Sequence, residues 1–328
     1  MNQHMEDPFF IVGCGRSGTT LLRTLLNGHP DIGVPQESLF ITDYLRADGR
    51  VAMTTLRKML IREPELEEWG IKPTLEDLDA CNTPAEAIDR LHRIYLTGKG
   101  KHRWGQKTPR FVRFVGLLHT HFPGARFIHV VRDPRAVVSS LISSDVHRSN
   151  ALYASRRWLN DVGAGIEAER DFPQQVIRVR YEDLVTDVET TLSSIASFLR
   201  FDYDAAMVAA AAQGAAEYSR FYAAIHANLS LPPTDQFINK WKDRLSPSEV
   251  CLVESITGPR MLNLGYVPSA EASPTPPTHT MTMRLERGLG LVRQSTQYLR
   301  FRRKYLFYLI LRKWRLGLMG DFLRGVNY

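Results

Sequence analysis

Phe9-Phe10-Ile11-Val12-Gly13 runs into Cys14-Gly15-Arg16-Ser17-Gly18-Thr19-Thr20 and on into Leu21-Leu22, and this stretch decides the fold of the 328-residue chain. A five-residue apolar run ending in glycine predicts a buried strand; Leu21, Leu22, Leu25 and Leu26 mark one face of a following helix. The loop between them has Gly-x4-Gly spacing, which lets backbone N–H groups turn inward where the helix N-terminus adds about half a positive charge. Gly15, Arg16, Ser17, Gly18, Thr19 and Thr20 are therefore the expected cradle of a phosphate or sulfate. Where a nucleoside triphosphatase carries the lysine that reaches its β and γ phosphates, this chain has Thr19, and its cation, Arg16, comes earlier.

The same strand-to-helix unit recurs. Arg126 to Arg132 (RFIHVVR) predicts a second buried strand, with Asp133 as N-cap and Pro134 as first residue of a helix through Ser143. Val176 to Tyr181 predicts a third, before a helix from about Asp187 to Leu199. Ile32 to Val34 reads as a short strand, and Leu245 to Leu262 as a late helix opened by a Ser246/Glu249 capping box. Alternation of this kind predicts an α/β fold: a P-loop-type, mostly parallel sheet flanked by helices, its site at the carboxyl ends of the strands. Residues 42–103 read as a helical insertion over that site within a domain spanning 1–268. A Pro/Ser/Thr-rich linker covers 269–280, and 281–328 form a basic aromatic helical extension.

Charge follows this division. The chain carries a formal +7, yet from Thr280 to Tyr328 eleven Lys and Arg face only Glu286 and Asp321, which leaves residues 1–279 slightly acidic. The basic balance therefore belongs to the extension. Cys14, Cys81 and Cys251 make neither a disulfide framework nor a thiolate site. His119, His121 and His129 lack acidic or thiol partners at ligand spacing, so no metal is expected. No window is apolar over the ~20 residues that span a bilayer, and the expected location is cytoplasmic.

Arg132 closes the second main strand and Ser140 lies eight residues on, so both can face one crevice, where a guanidinium fork and a hydroxyl suit a further phosphate. Together with the glycine loop, this pair resembles the sulfotransferases that use 3′-phosphoadenosine 5′-phosphosulfate (PAPS), above all the tyrosylprotein sulfotransferases and the bacterial proteins like them. The resemblance runs from Pro8 to about Tyr266. It implies that the RSGTTLL loop grips the 5′-phosphosulfate and that Arg132 and Ser140 read the 3′-phosphate. It further implies Glu37, 21 residues after Arg16, as general base, Lys107 in its K-x-P context as stabiliser of the transferring group, Tyr181 as a cofactor contact, and Lys240-Trp241 as the step that closes over the nucleotide. Where the tyrosylprotein enzymes carry a further arginine, four residues after the serine, this chain has Ser144; Arg135 and Arg148 are the candidates to replace it.

The expected chemistry is sulfuryl transfer from PAPS, without a metal, to a hydroxyl or amine. Glu37 takes the acceptor's proton, while Arg16, Lys107 and loop N–H groups hold the charge that develops. The acceptor is open between glycolipid, carbohydrate and peptide tyrosine, and His29 and His147 are the fallback bases. The competing readings are a P-loop kinase-like phosphotransferase, which would need Mg²⁺ and ATP, and a non-catalytic, membrane-associated nucleotide-binding protein. The extension from Leu299 to Leu323 combines basic residues with Tyr305, Phe307, Tyr308 and Trp314. It either lies on an anionic membrane surface or packs on protein, its own or a second copy's, with its charges solvated. No nucleic-acid module accompanies that charge.

Overall fold

The sheet is dictated by alternation along its central strand. In β1 (Phe9–Gly13) every residue is buried, and successive side chains serve opposite faces. Phe9 and Ile11 join Leu22, Leu25 and Ile128 on one side, while Phe10 joins Trp104, Phe111 and Phe127 on the other. The computed structural model describes residues 7–144, 149–212, 234–269 and 303–323, with separate positions between 283 and 299. Arg148, His147 and most of the 269–280 linker lie outside the described residues.

Chain order runs β1, α1 (Thr19–Asn27), β2 (Ile32–Gly33), α2 (Phe40–Arg46), α3 (Met53–Leu60), α4 (Pro64–Glu68), α5 (Pro84–Thr97) and β3 (Arg103–Lys107). It continues through α6 (Val115–His121), β4 (Arg126–Val131), α7 (Pro134–Ile142), α8 (Ala151–Asp171), β5 (Val176–Arg180), α9 (Tyr181–Thr186) and α10 (Val188–Leu199). Among the described residues α11 (Ala206–Ala212), α12 (Pro247–Asn263), α13 (Arg303–Arg315) and α14 (Met319–Leu323) complete it. The five strands are all parallel, in the order β2-β3-β1-β4-β5. The chain leaves β1 for one edge and later crosses to the other, so a crevice opens at the carboxyl end of β1, between β3 and β4. This is the α/β class expected.

Local signals hold where they rest on caps. Asp133 accepts from the N–H of Arg135 to start α7, and the Ser246/Glu249 capping box opens α12. One strand goes beyond the sequence reading: residues 103–107, the end of the expected insertion and the segment after it, form β3, buried throughout.

The extension packs on its own chain, and there two of its charges depart from the expectation that they are solvated. Helix α13 packs on α2 and α4, and Arg312 is only 1% exposed and Lys313 5%. Arg312 Nε donates to Asp43 Oδ2 at 3.0 Å, and its Nη1 donates to Glu63 at 2.7 Å and Glu65 at 3.1 Å. Lys313 Nζ reaches the other oxygen of Asp43 at 2.5 Å. These two charges are desolvated, not solvated, because the buried acidic side chains of Asp43, Glu63 and Glu65 in the insertion surround them.

Candidate active site

The candidate residues sit on one rim. Arg16 follows β1, Glu37 follows β2, Lys107 is the last residue of β3, Arg132 follows β4 and Tyr181 follows β5. A parallel sheet brings its carboxyl ends together whatever the separation in sequence, and this is why positions from 16 to 181 can serve one ligand.

At the loop, Gly13 and Gly18 carry φ of 147° and 91°, and Arg16 is itself left-handed at 74°. That conformation costs a non-glycine residue roughly 1–2 kcal/mol. The loop cannot accept side chains at either glycine: a Cβ at Gly13 would lie 2.4 Å from Val130 O, and one at Gly18 2.4 Å from the Tyr181 ring. Tyr181 thus packs on the loop's last turn, and the Arg132 guanidinium lies 4.0 Å over the same ring.

Arg16 and Ser140 meet, Arg16 Nε donating to Ser140 Oγ at 3.0 Å. Arg132 donates to Arg16 O at 3.2 Å and to Phe237 O at 2.8 Å, which draws residues 234–245 onto the site. Burial lowers the Arg16 guanidinium pKa, with the neighbouring charge of Arg132 adding to it, and burial does the same to Arg132. Arg132 Nε and Ser17 Oγ are buried without a hydrogen-bond partner. Two crowded, desolvated arginines and two orphaned donors form an environment that an anion completes. The site fits a phosphate-bearing ligand on this observation.

On the other side of the loop, Lys107 Nζ contacts Glu37 Oε1 and donates to Thr20 Oγ1 at 3.2 Å. Lys107 is 1% exposed, so it is no solvated surface lysine, while the Glu37 side chain stays a quarter exposed and open to an incoming group. The loop bearing Glu37 is pinned on both sides. Trp69 Nε1 and Gln106 Nε2 each donate to Gln36 O at 3.1 Å, the Ser38 N–H donates to Thr108 Oγ1 at 3.1 Å, and the Leu39 N–H to Glu65 Oε1 at 2.9 Å.

Other expected residues fall elsewhere. Arg135 is held by Asp133 and, at 2.8 Å, by Glu254, with its guanidinium over Trp241; it is committed to the α7–α12 contact and does not replace the arginine missing at Ser144. Lys240 lies exposed, 5.1 Å over the Phe237 ring, while Trp241 is buried. His29 is buried against Asp202 O, the Asp31 N–H and Phe201, and is occupied there. Sequence reasoning missed Arg157 of α8: a Cβ on Gly15 would lie 3.0 Å from its Nη2, and its Nε pairs with Asp161 at 3.5 Å. No motif marks it; only the next residue, Trp158, is conspicuous, donating its indole N–H to Arg132 O at 3.0 Å.

Fold and rim together define a P-loop-type α/β protein whose rim suits an anion. The family model for the sulfotransferase family matches residues 8–205, and the chain belongs to that family, whose chemistry is sulfuryl transfer. Protein-tyrosine sulfotransferase 1 of Danio rerio is 27% identical over 286 residues, covering 82% of this chain and 77% of that one. Nodulation protein NoeE of Sinorhizobium fredii is 35% identical over 136 residues, 41% of this chain and 31% of NoeE. Among solved structures, the sulfotransferase domain from the Synechococcus PCC 7002 olefin synthase superposes with a TM-score of 0.58 at 21% identity, covering 81% of this chain and 98% of that one. That likeness is one of fold.

Proposed function

We propose that the chain transfers the sulfuryl group of PAPS to a hydroxyl of its acceptor, without a metal. The observation that carries this is the pairing of Glu37 with Lys107 at Thr20, beside the loop's buried Ser17 hydroxyl and the Nε of Arg132, which both lack partners. Loop N–H groups and Arg16 hold the 5′-phosphosulfate; Arg132, Ser140 and Tyr181 hold the 3′-phosphate end. The acceptor oxygen attacks sulfur in line with the departing phosphate oxygen as Glu37 takes its proton. Lys107 and Arg16 stabilise the charge gathering on the sulfuryl and bridging oxygens. Thr19 in place of a P-loop lysine disfavours a phosphoryl-transfer reading. Incubation with labelled PAPS and a panel holding a tyrosine peptide, an oligosaccharide and a glycolipid tests it. Label transferred to a panel member supports the reading; phosphate transfer from ATP with Mg²⁺ in its place overturns it.

One observation favours an acceptor presented at a membrane. Among the described residues, seven large apolar side chains from Leu285 to Trp314 are exposed, with Phe307 at 70% and Trp314 at 68%. Phe307 and Trp314 fall on the side of α13 away from Arg312, in a segment dense in Arg and Lys, and this combination suits an anionic lipid surface.

A further inference from the structure

The buried cluster where the extension meets the insertion lies directly behind the loop that carries Glu37. Helix α2 starts one residue after Leu39, and Leu39 has no side chain able to cap it. Glu65, reaching across from α4, does so in its place, its Oε1 accepting from the Leu39 N–H at 2.9 Å. A carboxylate at a helix start is favoured by the helix dipole, but Glu65 is 3% exposed, and a buried carboxylate holds such a position only when its charge is compensated. Compensation comes from far along the chain: Arg312 Nη1 donates to Glu65 Oε2 at 3.1 Å while the same guanidinium spans Glu63 and Asp43. Tyr305 adds its hydroxyl to Glu65 at 3.4 Å, and Tyr308 anchors the helix by donating to Met59 O at 2.8 Å.

We propose that α13 is a positioning element of the active site, in which Arg312, acting through Glu65 and the Leu39 N–H, fixes the loop that sets Glu37 against Lys107. Three of the loop's pins, from Trp69, Gln106 and Thr108, come from the domain itself; the fourth depends on a residue 247 positions away from Glu65. Lys313 reinforces it by holding Asp43 of α2, so α13 grips the helix that follows the loop as well as the one that caps it. The extension is then part of the catalytic domain's working geometry. The proposal rests on Glu37 acting as the base in the function proposed above.

The test uses the full chain and three variants, Arg312→Met, Arg312→Lys and Glu65→Gln, read by hydrogen exchange and by turnover of PAPS with a tyrosine peptide as acceptor probe. Arg312→Met is expected to speed amide exchange in residues 36–41 while residues 9–22 keep theirs. It is also expected to lower kcat about tenfold to a hundredfold with KM for PAPS and affinity for 3′,5′-adenosine bisphosphate unchanged. Arg312→Lys should recover part of both losses. Unaltered exchange at 36–41 overturns the proposal. So does loosening spread equally over the glycine loop with loss of bisphosphate binding, since that marks a general stabiliser. If Arg312→Met does not fold, Arg312→Lys and Glu65→Gln decide by the same exchange pattern. Failure of the unaltered chain to bind the bisphosphate strikes at the proposed function instead and leaves the exchange result standing.

Discussion

At the scale of single residues, the site depends on a lysine shared between two partners. Lys107 is buried and touches both Glu37 and Thr20, so under the proposed function the donor's sulfuryl oxygens need only draw it from one contact to another, with no side chain brought in from solvent. Glu37→Gln keeps the shape and removes the proposed base. It is expected to lower transfer by about 10²- to 10⁴-fold while bisphosphate affinity stays within a few-fold. Parallel turnover and calorimetric titration check this. Retention of most activity would move the proton acceptor elsewhere. Glu37 and Lys107 were named from the sequence through a family resemblance, the one by its offset from Arg16 and the other by its K-x-P context. Arg157 was not, since it approaches Gly15 through the packing of α8, and no spacing records that.

At the scale of elements, two contrasts show where reading stops. β1 and β4 are apolar runs and declare themselves; β3, Arg-Trp-Gly-Gln-Lys, does not. Its polar residues are buried because tertiary contacts satisfy them: Arg103 donates to Leu199 O at 2.6 Å and Gln106 to Gln36 O. No periodicity encodes that. The α4–α13 contact has a pH signature of its own. Burial, together with the nearby charge of Glu65, pushes the Glu63 carboxyl up to about 8 against Arg312's opposing pull. A carboxyl raised in the folded state holds its proton there and releases it on unfolding. Its contribution is thus complete below the ordinary carboxylate range and is lost as pH rises towards about 8. Thermal unfolding between pH 5.5 and 8.5 (roughly the range over which such a group titrates) should show a midpoint that falls with rising pH. The slope should flatten in Glu63→Gln, and an unchanged slope would place the proton elsewhere.

At the scale of the whole molecule, the extension has two faces. One buries Arg312 and Lys313 among the insertion's acids; the other exposes Phe307 and Trp314. The sequence showed that basic and aromatic residues concentrate there. It could not show which of them would be buried, because their acidic partners lie some 250 residues earlier. Phe307→Ser with Trp314→Ser is expected to weaken binding to phosphatidylserine vesicles at least tenfold, about 1.4 kcal/mol. Exchange at residues 36–41 should be unaltered, and cosedimentation equal to that of the unaltered chain would contradict the membrane-facing role. The parallel sheet and glycine loop bring Arg16, Glu37, Lys107 and Arg132 to one rim, and donor identity is the claim on which the proposed function depends. Its most direct test is calorimetric titration of the full chain with 3′,5′-adenosine bisphosphate, against ATP with Mg²⁺, each repeated with Arg132→Ala. Tight, metal-independent binding of the bisphosphate, abolished in Arg132→Ala, is the predicted result; preference for ATP with Mg²⁺, indifferent to Arg132, would contradict it.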